Sequence, residues 1–426
     1  MPEKNYHPSL EEFIQKAETA NLVPVYREIL ADLVTPVSAL WKIDDSPSSF
    51  LLESVEAGKL GRYSFIGCNP SVIFEAKGRQ IFLRDGLYEK KYEIQTGDPL
   101  DELQKLMSRY KAAPTPDLPP FYGGAVGYVS YDMVKFFEQI PLNSRDDLDL
   151  PDCLFMITDS IIIFDHVNHV MKVVALAHIQ GNPVVAYRQA QEQIETLVRK
   201  LNAPLKRWRF GAGGESPLEI SFNREKADFC RAVEKAREHI IAGDIFQVIL
   251  SIRQEMKIRS SSLDVYRALR TVNPSPYMFY LKHGDLRLAG SSPEILVKLE
   301  DGQVRYRPLA GTRWRGKSDE EDRAIAAELL RDPKERAEHV MLIDLGRNDI
   351  GRVCKYNTVR VDELMTVEKY SHVMHIVSNV IGEILPEYNA FDLLRAVFPA
   401  GTVSGAPKVR AMQIISELEA TTRGPY

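Results

Sequence analysis

Glu335 and Glu338 stand three residues apart, a spacing that sets both carboxylates on one face of a helix. His339, four residues on from Glu335, can join them. Asp344-Leu-Gly-Arg-Asn-Asp349 then adds two carboxylates, an arginine and an asparagine within six residues. Oxygen donors without a thiolate suit Mg²⁺, which keeps several waters and bridges to an anionic ligand. The solvated face of the charged run Arg331–His339 accounts for the same residues equally well. Residue types alone leave both readings open.

A second candidate is a decoy. Gly311-Thr-Arg-Trp-Arg-Gly-Lys-Ser318 satisfies the written phosphate-loop pattern, and Val340-Met-Leu-Ile-Asp344 imitates its partner strand. A phosphate cradle needs free backbone amides leading directly into a helix N-terminus. Here Asp319-Glu-Glu-Asp322 sets four carboxylates at that helix start and repels an anion. The preceding strand contains Pro308 and alternates Val304 and Tyr306 with Arg305 and Arg307, unlike a strand buried on both faces. The Val340–Asp344 run continues a helical segment from Ala337.

The elements that must position these residues read as strands and helices in alternation. Arg62–Gly67, Val72–Lys77, Gln80–Arg84 and Tyr88–Ile94 are strand-like, with turns at Lys77-Gly78 and Asp85-Gly86. Leu154–Asp165 and Val170–Ala177 read as a hairpin. Tyr277–Lys282, Leu286–Ala289, Ile295–Glu300 and Gln303–Pro308 read as one meander with Asp301-Gly302 at a tip. Helical spacing marks Leu100–Tyr110, Val185–Leu201 and Glu320–Leu330, the last starting after Ser318 or Asp319. Phe229, Val233, Ala236 and Ile240 predict a helix from an Asn223 cap to Gly243. Short turns favour antiparallel pairing, so the expected class is α+β with antiparallel sheets flanked by helices. The Gly-rich stretch 205–217 predicts a boundary between halves at 1–204 and 218–426.

Composition narrows the classes. Hydrophobic residues make up 44% and charged residues 27%, and 54 basic against 59 acidic residues leave a net charge of −5. No global basic field recruits nucleic acid or an anionic membrane. No run of about 18 apolar residues occurs, and Met1-Pro-Glu-Lys leads into the amphipathic Leu10–Ala20 rather than a signal core. Cys68, Cys153, Cys230 and Cys354 are scattered and read as reduced, small, buried residues of a cytoplasmic protein.

Leu309-Ala-Gly-Thr-Arg313, Ala337-Glu-His-Val-Met-Leu342, Asp344–Asp349, His372-Val-Met-His375 and Gly401-Thr-Val-Ser-Gly-Ala-Pro-Lys408 occur in one order. In that order they resemble the motifs of chorismate-utilising enzymes, and 223–426 looks like their catalytic half. The resemblance implies nested antiparallel sheets holding chorismate and one Mg²⁺. It implies that Gly311 and Thr312 contact substrate and that Glu338 ligates Mg²⁺ with Glu335 beside it. Glu294 is then the general acid that helps the ring hydroxyl depart, His375 the histidine at the ring, and Thr402 a wall of the same pocket.

Two positions sort the nucleophile within the family. Isochorismate- and salicylate-forming relatives carry a lysine base where this chain has Gln247, and aminodeoxychorismate synthases carry a nucleophilic lysine where it has Ala310. A neutral amide does not deprotonate water, whereas ammonia needs no such base. The chain therefore most resembles the anthranilate synthase component I type, which implies ammonia as co-substrate. No Gly-x-Cys-x-Gly elbow is present, so ammonia is free or delivered by a glutamine amidotransferase subunit, component II of that family. Leu51-Leu-Glu-Ser54, Gly61–Gly67 and Asn273-Pro-Ser-Pro-Tyr-Met278 resemble its tryptophan-sensing segments, implying an L-tryptophan site at Ser54, Pro276, Tyr277 and Met278.

Trp314 departs from the small or basic residue usual after Ala-Gly-Thr-Arg. The family continues for about another sixty residues beyond the position of Tyr426, a length of several strands and a helix. The expectation that follows is a catalytic half lacking C-terminal strands, with a tyrosine, an arginine, a Gly-rich turn and a further Mg²⁺ carboxylate among the missing groups. The alternative reading is an incomplete form that retains tryptophan or partner binding.

Overall fold

A computed structural model describes residues 5–54, 61–141, 145–205, 219–370 and 372–426. The expected boundary stretch therefore lies, beyond Leu205, outside the described residues. Contacts divide the chain into two compact units that interleave in sequence. Beside the expected halves, 1–204 and 218–426, the first unit also takes in Arg259–Pro293, and the second takes in Val129–Asp152.

The first unit is built on an eight-stranded antiparallel sheet. Its order is Tyr6–His7, Leu22–Leu30, Val170–His178, Ser160–Asp165, Tyr63–Cys68, Ser48–Glu53, Tyr277–His283 and Leu286–Ser292. A second sheet of five strands runs Tyr88–Glu93, Gln80–Asp85, Val72–Lys77, Cys153–Thr158 and Gly124–Val129. One face of the large sheet packs on the five-stranded sheet through Phe50, Ile73, Met156, Ile161 and Val174. Its other face packs on helices through Phe13, Leu40, Ile162, Ile194 and Tyr266. Strands buried on both faces lose alternation, and this explains one misreading: Leu154–Asp165 is two strands, broken at Asp159, that belong to different sheets.

The second unit centres on the strand Val373–Glu383. Along one edge it pairs with Gln303–Tyr306 and then Leu309–Trp314, and along the other with Arg360–Lys369, all antiparallel. Lys298–Glu300 joins Gln303–Tyr306 through the turn at Asp301-Gly302, both residues at positive φ. The expected four-strand meander is thus two hairpins: Tyr277–Ser292 belongs to the large sheet and Lys298–Tyr306 to this one. Helices Lys226–Ile241, Asp319–Arg331, Pro333–Gly351, Ala390–Val397 and Lys408–Leu418 complete the unit. The long helix Pro333–Gly351 packs Ile343 and Ile350 onto Tyr306 and Val380 of the sheet.

Local chemistry sets the helix starts. Asp332 caps Pro333–Gly351 by accepting from the Lys334 and Glu335 amides, with Pro333 in the first turn. Ser318 caps the preceding helix, as the sequence predicts. Asn223 is not a cap: its carboxamide instead joins the Arg253 amide and the Thr421 hydroxyl, and the helix starts at Lys226. Cys68, Cys153 and Cys354 are buried, but Cys230 is exposed on that helix, contrary to expectation. Trp314 is largely exposed. Among the described residues no helix is long and apolar enough to cross a membrane.

Candidate active site

The decoy loop is closed by its own chain. Asp322 Oδ1 accepts the Gly316 amide at 2.7 Å and Glu321 accepts the Lys317 amide at 2.6 Å, while Arg315 grips Asp322 from the side. Carboxylates from the first turn of Asp319–Arg331 occupy the donors that an anion would need. The phosphate-loop reading fails on these bonds.

The same strand does carry a site at its other end. Gly311 sits at φ +62°, and the pairing with Val373–Glu383 slips by one residue between Ala310 and Thr312. A Cβ there would lie 3.2 Å from a Glu335 carboxylate oxygen and 3.1 Å from Leu329. Glycine thus lets the bulge lie against the first turn of the carboxylate helix. The bulge also turns Thr312 onto His375, whose Nδ1 lies 3.1 Å from the Thr312 hydroxyl and 3.2 Å from the Gly311 carbonyl. A carbonyl only accepts, so Nδ1 carries the hydrogen and Nε2 is left as the basic nitrogen. Burial holds the His375 pKa below its ordinary value, which keeps the ring neutral at pH 7.

Glu335 and Glu338 do share a face, and their surroundings differ. Glu335 accepts from Arg313 at 3.0 Å, and the same guanidinium reaches Asp332 at 2.9 Å. Glu338 accepts from the neutral Gln247 amide at 3.3 Å, and no cation pairs with it among the described residues. His339 does not join them. It is fully buried, its Nε2 lies 2.7 Å from Ser378 Oγ, and burial pushes its pKa down to about 4. The second acidic cluster also splits: Asp344 lies by Arg347 at the surface, whereas Asp349 is buried against Lys408 at 2.5 Å.

Glu294 forms the other part. Its Oε2 accepts the Thr402 hydroxyl at 3.1 Å, and its Oε1 accepts the Leu309 amide at 3.5 Å. Burial nonetheless raises its pKa to about 7, against the opposing pull of both donors. The carboxyl is therefore close to half protonated at neutral pH, the state a proton donor needs.

Thr402 stands in a short 3₁₀ turn, Gly401–Val403, which leads into the strand Gly405–Ala406. That strand pairs with Gln247-Val248. Gly405 is at φ +141°, and a Cβ on it would fall 2.2 Å from the Gln247 carbonyl, so only glycine lets the two backbones meet. Thr402 and Gln247 are thereby placed on adjoining backbone. Lys408, at the start of the next helix, reaches Asp349 and the Val397 carbonyl at 2.7 Å. Burial raises the Asp349 pKa to about 6 and lowers that of Lys408, each shift opposed by the partner's charge. Both residues lie within the quoted motifs, but an acid and a base 59 residues apart carry no pairing signal in the sequence.

In the first unit, Ser54 follows the strand Ser48–Glu53, and Glu53 pairs in register with Met278. Ser54 Oγ is buried without a partner among the described residues. Glu53 is held by the Tyr266 hydroxyl at 2.7 Å and Arg270 at 3.0 Å. Burial raises its pKa against the pull of Arg270. Pro276 and Met278 are buried and Tyr277 is half-buried. Ser275 and Ser291 pin this turn by bonds to each other and to the Ser292 and Asn273 carbonyls.

A divalent cation fits the carboxylate face only if ligand and water complete its shell. Among the described residues no three His, Cys, Asp or Glu groups gather to hold a metal. Mg²⁺, however, commonly takes one or two protein carboxylates plus anionic oxygens of its substrate. Glu338, with no competing cation among the described residues, suits that role better than Glu335, which Arg313 already neutralises in part.

Residues 47–426 match the family described as chorismate binding enzyme. The chain is 46% identical to anthranilate synthase component 1 of Acetivibrio thermocellus over 99% of its own length and 86% of that protein's. It is 42% identical to the chloroplastic anthranilate synthase alpha subunit 1 of Arabidopsis thaliana, over 100% and 75%. Among solved structures it resembles anthranilate synthase component I from Streptococcus pneumoniae with TM-score 0.73 and 34% identity, over 93% of this chain and 85% of that one. The menaquinone-specific isochorismate synthase of Escherichia coli shares the fold at 17% identity and TM-score 0.67, over 98% and 84%. Both solved neighbours bear out the expected α+β class. The chain belongs to the chorismate binding enzymes, within the anthranilate synthase component 1 group.

Proposed function

We propose that this chain converts chorismate and ammonia to anthranilate and pyruvate with Mg²⁺. The observation that carries the reading is the Glu294 carboxyl, raised to about 7 and held by Thr402. Ammonia adds to the ring as the ring hydroxyl departs, and the Glu294 proton leaves with that hydroxyl as water. Loss of the enolpyruvyl group as pyruvate, with removal of a ring proton, then aromatises the ring. Neutral His375 fits a place beside the ring, with Nδ1 committed to the Gly311 carbonyl and Nε2 free to accept. Gly311 and Thr312 fit contact with the substrate. Glu338, with Glu335, fits the holding of Mg²⁺, which would neutralise a substrate carboxylate and polarise the ring.

Gln247 supports ammonia over water as nucleophile, because its amide donates to Glu338 and has no basic pair to give. Ammonia in this reading comes from a separate glutamine amidotransferase subunit or from free ammonium. The buried Ser54 hydroxyl, without a partner among the described residues and next to Glu53, which pairs with Met278, supports an L-tryptophan site with Pro276 and Tyr277, since such a hydroxyl favours a polar ligand. In this reading the chain acts at the first committed step of tryptophan biosynthesis, in the cytoplasm. The test is anthranilate fluorescence from purified chain, chorismate, Mg²⁺ and ammonium. Formation of isochorismate in its place would overturn the roles given to Gln247 and Ala310.

A further inference from the structure

Near the chain end lies a buried charge with no part in the chemistry above. Arg423 is 8% exposed, as is Glu419. Glu419 takes the Arg423 Nε at 2.8 Å and Nη2 at 2.7 Å, a two-pronged grip that fixes the guanidinium plane. Tyr131 and Tyr426 flank it, with ring centres 4.4 and 4.6 Å from the guanidinium carbon. Two further donors go to backbone carbonyls: Nη1 to Val403 at 2.7 Å and Nη2 to Ile249 at 2.6 Å. Glu419 also accepts the Ser251 amide at 2.6 Å.

Those carbonyls belong to the two backbones that carry Thr402 and Gln247. Val403 follows Thr402, and Ile249 lies two residues beyond Gln247. The Phe246 and Ile249 amides bond the Ala406 and Ser404 carbonyls, one at each end of this short ladder. The guanidinium fork adds a bridge across its Ile249 end.

We propose that Arg423 is a positioning residue for the reaction: by bridging the Val403 and Ile249 carbonyls it holds the Thr402 turn on the Gln247 strand, so that Thr402 reaches Glu294 and Gln247 reaches Glu338. The proposal rests on the reading of the site given above. Buried arginine is the residue for this task because one rigid plane serves two acceptors and a carboxylate, whereas an ammonium is a point charge on a flexible stem.

The test uses the whole chain with Arg423→Lys, Glu419→Met/Arg423→Met, Thr402→Val and Thr402→Val/Arg423→Lys. The Met pair leaves no buried unpaired charge, so it keeps the test alive if Arg423→Lys folds poorly. Expected are a kcat lower by about tenfold to a hundredfold with melting temperature restored in the Met pair, and a double variant with Thr402→Val that loses little more than either alone. A readout independent of turnover is the Glu294 carboxyl titration by difference infrared spectroscopy, assigned with Glu294→Gln. Losing the Thr402 donor raises that pKa, and Arg423→Lys should raise it as Thr402→Val does. Tyr306, which faces Glu294, and Asp349 beyond it stay in place as common background. A lowered melting temperature with wild-type kcat and an unmoved titration would overturn the proposal. If the wild type itself forms no anthranilate, the reaction reading falls, and the infrared titration still decides whether Arg423 places Thr402.

Discussion

The Thr402 hydroxyl donates to Glu294 Oε2 at 3.1 Å across 108 residues of sequence, from a turn held by glycine packing to a carboxyl that burial has raised to about 7. The donor restrains the shift without abolishing it. Glu294 can thus lose and regain its proton near neutral pH.

Glu294→Gln keeps the shape and removes the proton donor, so anthranilate formation should fall by about a hundredfold or more. In the wild type the rate should decline as pH rises through about 7, since only the protonated carboxyl donates. Thr402→Val removes a bond that favours the charged form, so its decline should move to higher pH. A profile of kcat/KM against pH for the three proteins checks both, and a downward move in Thr402→Val would contradict the assignment.

The same carboxyl makes a stability statement. Its folded pKa of about 7 exceeds the ordinary 4.5, so the folded state binds the proton more tightly than the unfolded chain. Its contribution is full below about pH 4.5 and is lost as pH rises through about 7. The charged form then costs up to about 3 kcal/mol. Glu294→Gln escapes that cost, so it should melt above wild type at pH 8 and near it at pH 4.5. Calorimetry at the two pH values decides the point.

Glu338→Gln should raise the Mg²⁺ concentration needed for half activity by more than Glu335→Gln does. Arg313 sits on Glu335 and already offsets its charge, whereas Glu338 accepts from the neutral Gln247 amide and pairs with no cation among the described residues. Mg²⁺ titrations of anthranilate formation measure the ratio, and equal effects would remove the distinction between the two.

L-Tryptophan at a hundred times its dissociation constant should stabilise the chain by about 2.7 kcal/mol, visible as a rise in melting temperature. Ser54→Ala should weaken that rise without lowering the unliganded melting point, because its hydroxyl has no partner to lose among the described residues. An unchanged response in Ser54→Ala would remove Ser54 from the site.

The motifs were legible in sequence because each is a local demand. Gly311 is there to adopt φ +62° at a bulge and Gly405 to let two backbones touch, and the three-residue spacing of Glu335 and Glu338 puts both on one helix face. The turns at Gly78, Gly86 and Gly302 were legible for the same reason. Sequence alone thus settled the class, the family and most element types.

What sequence left undecided was partnership over distance. Leu154–Asp165 is apolar on both faces, so nothing in its pattern says that it crosses between sheets at Asp159. His339 sits in a charged run that reads equally as a solvated face and Asp349 in one that reads as oxygen donors, yet burial against Ser378 and Lys408 takes both out of solvent. No local pattern marks Arg423, and only the fold set it between Val403, Ile249 and Glu419. Local backbone geometry is written in residue type, whereas the desolvation and pairing that tune Glu294, Asp349 and Arg423 depend on which distant segments pack around them.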